Sequence, residues 1–227
     1  MKNLEEASKL AEMLIKIGKL AEKETICVIT NMEEPLGEAV GNSLEVIEAI
    51  KFLKGTMPED LKEVVLTLGA YMLTLAGKGN NIEENKQKML EVVQNGKAFE
   101  KLKELVANQG GDVSYLENPE KFEKAKYIVE VKSTKDGYVS SLNAQKIGEI
   151  SRNLGAGRIK KEDTIDASVG IILKKKVGDK VERGETIAYI HANNEQNGIE
   201  AKEELEKIYQ YQETKIMPLE QVLKISN

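Results

Sequence analysis

The chain has no tryptophan, one cysteine, one histidine and four prolines in 227 residues, and its aromatic fraction is 4%. A single cysteine, Cys27, rules out an intrachain disulfide and a cysteine metal cluster. A reducing, cytoplasmic setting is therefore expected. The same cysteine lies inside the apolar run TICVIT with no cationic neighbour in sequence, which predicts a buried, chemically quiet thiol in a strand. A single histidine, His191, stands at the end of a strand-like run without a nucleophile-elbow sequence anywhere in the chain. It reads as a structural or exposed residue and not as part of a Ser-His-Asp triad. No stretch approaches the roughly 20 uninterrupted apolar residues of a membrane span. The first twenty residues carry acids between their apolar positions, as an amphipathic helix does and a signal peptide does not. An excess of positive charge is also lacking. Lys and Arg number 33 against 38 Asp and Glu, a net charge of -5 that gives no reason to expect a nucleic-acid or membrane partner.

What is present is a hydrophobic fraction of 41% with 31% charged residues, enough for a folded chain with a real core. In the first half, helical spacing marks Leu4 to Ile17, a helix after Asn42 carrying Leu44, Val46, Ile47, Ile50 and Leu53, another opened by Pro58 and Asp60, and two more near Ile82 to Val93 and Phe99 to Val106. Asn42 with Glu45 three residues on resembles a capping box. TICVIT is the one strand among these helices. A lone strand cannot satisfy its edges, so it needs neighbours from outside this half. From residue 127 onward the pattern turns β-rich, with YIVEV, GYVSSL, SVGIILKKK and ETIAYIHA, one helix over NAQKIGEISRNLGAGR ending at Gly155, and a turn pair in KVGDKVERGE. The expected division is 1–122 and 123–227, with residues 127–200 forming a compact β-rich unit containing one helix.

The individual motifs carry little chemistry alone. KVGDKVERGETIAYI is similar to the last hairpin of lipoyl- or biotin-carrying domains, but the preceding tip region TIDASVGI has no lysine to modify. NLGAGR and NQGGD follow helices, where glycine is a preferred cap, so neither reads as a phosphate cradle. Glu48 alone is a solvated helix acid within reach of Lys51 at i+3.

Their order is more specific. PLGEAVGNSLEVIEAI, PEDLKEVVLTLGAYML, NGKAFEKLKELVANQGGD and LGAGRIKKEDTIDASVGIILKKKVGDKVERGE together resemble the C-terminal part of the pyrimidine-nucleoside phosphorylase and thymidine phosphorylase family. The resemblance implies an α/β fold, a partial phosphorylase/phosphoribosyltransferase-type α/β domain followed by a β-rich hammerhead domain. It implies phosphate-dependent cleavage of pyrimidine nucleosides to base and pentose 1-phosphate by a homodimer. It also implies a family chain nearly twice this length, with Met1 matching an internal methionine and with the phosphate loop, the catalytic residues and the base-holding groups N-terminal to it. The expected consequence is that this chain alone is inactive and supplies no catalytic or substrate-binding residue. One site carries over: half of a potassium cage, through the carbonyls of Leu36 and Ala39 and the carboxylate of Glu48. Asn31 stands where the family usually has Asp, next to this loop but outside the three ligands. Two other readings compete: a non-catalytic carrier or interaction module of lipoyl-like type, and a phosphoribosyltransferase, which would lack the C-terminal β domain.

Overall fold

A computed structural model describes residues 3–227; the match proposed for Met1 lies outside the described residues. The chain is mixed α/β and separates into two compact units that are not contiguous in sequence. One comprises Met1–Asn31, Met57–Ala98 and Glu220–Asn227, the other Met32–Thr56 and Phe99–Leu219. Packing thus groups residues 32–56 with the C-terminal half, a different partition from a division at 122/123.

The first unit is mainly helical. Helix α1 (Leu4–Leu20) starts at Asn3, whose side chain accepts a hydrogen bond from the Glu6 amide, and Glu5 and Glu6 in its first turn suit the helix dipole. It packs beside β1 (Cys27–Thr30), burying Ala11 and Ile15. Cys27 is in the strand as expected but half-buried, not buried, because α1 covers one side of β1 only partly; its Sγ lies 3.7 Å from the Ala11 carbonyl.

The second unit contributes β2 (Ala39–Val40) and α2 (Asn42–Leu53), which follow the loop after Asn31. Back in the first unit, α3 (Glu59–Leu75) and α4 (Ile82–Gln94) pack against each other. Their turn is fixed by the fully buried Asn85, whose amide donates to Ala70 O, Thr74 Oγ1 and Gly79 O. A buried amide must be satisfied in this way, since each missing bond costs about 1–3 kcal/mol.

Helices α5 (Lys97–Asn108) and α6 (Ser114–Glu117) lead into the β-rich part. Here β3 (Tyr127–Lys132), β4 (Gly137–Ser141), helix α7 (Ala144–Ser151), β5 (Gly170–Leu173), β6 (Lys180–Val181), β7 (Thr186–Ala192), α8 (Glu195–Ile208) and β8 (Gln210–Gln212) follow in order. They build a four-stranded antiparallel sheet, β2-β5-β7-β3, and a three-stranded one, β6-β4-β8. The last strand, β9 (Val222–Ser226), belongs to the first unit and pairs antiparallel with β1.

The two sheets, α7 and α8 enclose a core that includes Val131, Val139, Ile147, Ile171, Leu173, Ile187, Ile190 and Leu205, all fully buried. The four β runs read from sequence are each present, and α7 is followed by a wider turn that ends at Gly155 (φ 116°). The expected single helix over 127–200 is corrected by α8. It begins at Glu195 behind the Asn194 cap and buries Gly198, Ala201 and Leu205 against β3 and β7. Its stripe of small residues is too weakly apolar to stand out in sequence.

Candidate functional site

The loop between β1 and α2 is anchored at both ends within the second unit. At its start Glu34 and Pro35 are buried. The Lys176 Nζ donates to Pro35 O at 2.6 Å and lies 3.9 Å from Glu34 Oε1, and the Val177 amide donates to Glu34 Oε2 at 3.1 Å. At its end Ala39 and Val40 pair with Ile172 and Ile171 of β5, and the Leu173 amide donates to Glu38 O at 2.7 Å. Gly41 and Gly170 face each other across this pairing. A methyl group on Gly170 would stand 2.4 Å from Val40 O, and one on Gly41 would stand 2.6 Å from Val169 O. Both have positive φ, so only glycine lets the strands come this close.

Between these anchors the loop turns toward α2. Glu48, half-buried, reaches back to it, and Glu48 Oε1 accepts a hydrogen bond from the Glu38 amide at 2.7 Å. Gly37 (φ 73°) lies against the same carboxylate, 2.5 Å from Glu48 Oε2 to where a side chain would begin. The structure thus brings Glu48 onto the 36–39 segment. The pairing with Lys51 open to an isolated helix acid is not what positions it. Leu36 has an exposed side chain at the crest of the loop, and Ala39 is buried at the start of β2.

The capping expectation is corrected. Gly41, not Asn42, is the N-cap, and it offers no side chain. Glu45 accepts from the Gly41 amide at 2.9 Å, so the acid's half of a capping box is present. Asn42, now the first helical residue, donates its side-chain amide to Ala156 O at 2.8 Å in the LGAGR segment. Ser151 Oγ donates to Val40 O at 3.0 Å from the neighbouring helix α7. Val46, assigned to the apolar stripe of α2, is 43% exposed. Beside this junction lies a cleft of about 220 Å³ lined by Gly41, Asn42, Glu45, Gly148, Ser151 and Arg152. The Asn31 amide hydrogen-bonds Gln221 O in the first unit, a backbone contact that does not depend on its side chain.

A hard monovalent cation takes oxygen donors, and carbonyls with one carboxylate are a suitable set. The loop has these types: one acid held by a backbone N–H and a glycine that lets the chain curl around it. Among the described residues no three His, Cys, Asp or Glu side chains gather as metal ligands, so a cation here would depend on backbone carbonyls. Glu34 and Lys176 were not singled out from sequence. An acid before PLG and one lysine among three carry no periodic or spacing signal.

Burial opposes ionisation of Asp166, yet hydrogen bonds from Ser168 Oγ, Asn193 Nδ2 and the Ser168 amide outweigh it and hold the carboxyl below its ordinary value. Tyr209 is buried, its hydroxyl donating toward Lys175 O and Ile187 O, and burial pushes its pKa well up. His191 sits in β7 opposite Gly170 and Ile128, and burial lowers its pKa. Among the described residues no hydroxyl or thiol is shown hydrogen-bonded to its ring. No helix among the described residues is long and apolar enough to cross a membrane.

Comparison with known proteins matches residues 1–99 to the glycosyl transferase family a/b domain and residues 138–212 to the pyrimidine nucleoside phosphorylase C-terminal domain. The chain is 47% identical over 195 residues to the pyrimidine-nucleoside phosphorylases of Staphylococcus aureus strains USA300 and COL, covering 86% of this chain and 45% of each relative. Against that of Staphylococcus epidermidis strain ATCC 12228 it is 47% identical over 196 residues, with the same coverage. The chain therefore spans about half the length of the curated relatives it matches. With a helical α/β-type unit, a closed β-rich unit and both family models in this order, the chain belongs to the pyrimidine-nucleoside phosphorylase family.

Proposed function

We propose that this chain forms the C-terminal portion of a pyrimidine-nucleoside phosphorylase, an enzyme that uses phosphate to cleave pyrimidine nucleosides to the free base and a pentose 1-phosphate. In this reading residues 1–122 are the end of the α/β domain and 123–227 the hammerhead domain, within a cytoplasmic homodimer. The observation that carries it is the Glu48 carboxylate turned onto the 36–39 loop, 2.7 Å from the Glu38 amide, in a chain 47% identical to its relatives.

Leu36 O, Ala39 O and Glu48 would hold a potassium ion, which when bound supplies fixed positive charge beside the phosphate-binding part of the site. The chain's own contribution is positional. The Glu38 amide orients the carboxylate, Gly37 leaves room for it, and the Lys176 contact to Pro35 O fixes the loop's entry. The Gly41–Gly170 approach fixes its exit.

The test is a fusion in which the part of the Staphylococcus aureus enzyme preceding its match is joined to this chain. The fusion should release uracil from uridine or thymine from thymidine when phosphate is present, with activation by potassium that Glu48→Gln weakens. A fusion that melts cooperatively but releases no base from either nucleoside would overturn the reading.

A further inference from the structure

The loop that carries Leu36, Ala39 and Glu48 follows the LKKK segment beyond the two residues bridged in β2. From the Ala39–Ile172 pair the same register continues toward the start of the loop. Glu38 O accepts from the Leu173 amide at 2.7 Å, Pro35 O from Lys176 Nζ at 2.6 Å, and the Glu34 carboxylate from the Val177 amide at 3.1 Å. At each of these contacts one residue back on the loop goes with one residue forward on the segment. The interruption falls at Leu36 and Gly37, where the chain turns away with Gly37 at φ 73°. Lys175 and Lys174, which that register would set opposite them, give their amides to Ile187 O at 3.2 and 2.8 Å.

The three consecutive lysines are employed differently. Lys174 Nζ is 4.0 Å from Glu38 Oε2, with both side chains about half exposed. Lys175 is 2.7 Å from Glu185 Oε1 and donates to Lys180 O at 3.1 Å. Lys176 reaches the backbone of the loop, and Glu34, almost fully buried, lies 3.9 Å from its ammonium. The proline ring already fixes φ at residue 35. A bond from a charged donor to its carbonyl fixes ψ as well, and with it the peptide plane that ends at the Leu36 amide. With Glu38 O held by Leu173, the backbone freedom left in the loop is that of Leu36 and Gly37.

We propose that Lys176, steadied by Glu34, is a positioning residue for the cation loop, so that potassium affinity is set from the β-rich side of the unit. The proposal rests on the functional reading above. A weakly held monovalent ion gains from carbonyls that are already in place, since ordering them on binding would cost affinity. The sign of the effect separates this role from a plain charge effect. A lysine acting only as a nearby positive charge would repel the ion, and its removal would tighten binding. A positioning lysine loosens the loop when removed, and binding weakens.

The test uses the fusion with the Staphylococcus aureus segment, melted in mixtures of sodium and potassium chloride at constant ionic strength, so that ion binding is read as a rise in melting temperature. Lys176→Met should raise the half-saturating potassium concentration about tenfold or more. Base release at saturating potassium should stay within about twofold of the unsubstituted fusion, since the residue acts through the ion loop. The double variant Lys176→Met with Glu34→Gln, which leaves no unpaired buried acid, should show the same weakening. Lys174→Met removes an equal charge without a backbone contact, and Leu205→Ala opens the core behind α8 away from the loop; both should leave the half-saturating concentration unchanged. An unchanged or lowered value in Lys176→Met would overturn the proposal, as would an equal rise in Leu205→Ala. A fusion that releases base but shows no potassium response would remove this role and leave the reaction in place. A Lys176-dependent potassium shift without base release would support the role and remove the functional reading.

Discussion

At the scale of single residues, burial decides which charges matter. The Glu34 side chain is 4% exposed and that of Lys176 17%, so removing the ammonium leaves a carboxylate in a nearly dry setting. Lys176→Met should destabilise the second unit by about 3 kcal/mol, as breaking one side of a buried pair does, and Glu34→Gln in the same chain should restore part of it. Urea unfolding of the two variants checks this. His191 gives a second prediction, because it is the one histidine in the chain. Burial lowers its folded pKa below the unfolded value, so the unfolded state binds the proton first. The stability linked to His191 is complete above the unfolded pKa of about 6.5 and is lost as pH falls through it toward the folded value. A His191→Gln variant should show a flatter stability profile between about pH 7 and pH 5; an unchanged slope would remove the histidine as its source. Sequence singled out Glu48 through the resemblance alone, since its 3.6-residue spacing describes equally a solvated acid. The hydrogen bond to the Glu38 amide depends on a loop whose curl no periodicity records.

At the scale of elements, the strands and helices with strong local patterns were legible and the pieces defined by partners were not. TICVIT, YIVEV, GYVSSL and ETIAYIHA are β-branched or aromatic runs bounded by turns, and each is a strand. The two-residue β2 exists only because β5 lies beside it, and β9 only because β1 does. The Asn42 cap was misplaced by one residue because a glycine, which has no side chain to give a signal, took the position. That glycine and its partner give a test at this scale. Gly170→Ala would set a methyl group 2.4 Å from Val40 O at φ 151°. Relief requires β2 and β5 to separate, so the variant should lose about 3 kcal/mol through strain and overpacking. Since β2 runs directly into α2, hydrogen exchange at the Glu38 amide should also quicken. A Gly148→Ala control, at a position with open space around it, should do neither.

At the scale of the whole molecule, the question is what 227 residues can accomplish by themselves. Phosphorolysis needs phosphate and nucleoside held together, an effect that can be worth roughly 7–11 kcal/mol. It also needs donors aimed at developing charge, each worth about 3 kcal/mol or more. The loop described here offers an acid held by an amide, and the half-buried Lys176 beside it is engaged with Pro35 O and Glu34. The chain covers 45% of the length of its relatives, and the resemblance assigns the phosphate loop and the base-holding groups to the other portion. The purified 227-residue chain should therefore show no release of uracil or thymine above the rate without protein, at any potassium concentration. Its helix α1 leaves Leu10, Met13, Leu14, Ile17 and Leu20 exposed, so its tendency to self-associate should fall in Ile17→Glu, as sedimentation of the two chains would show. The assay is decisive in one direction above all. Turnover that follows the chain of verified mass through successive columns, and vanishes in Glu48→Ala, would mean that residues 32–56 and the β-rich unit assemble a phosphate site of their own.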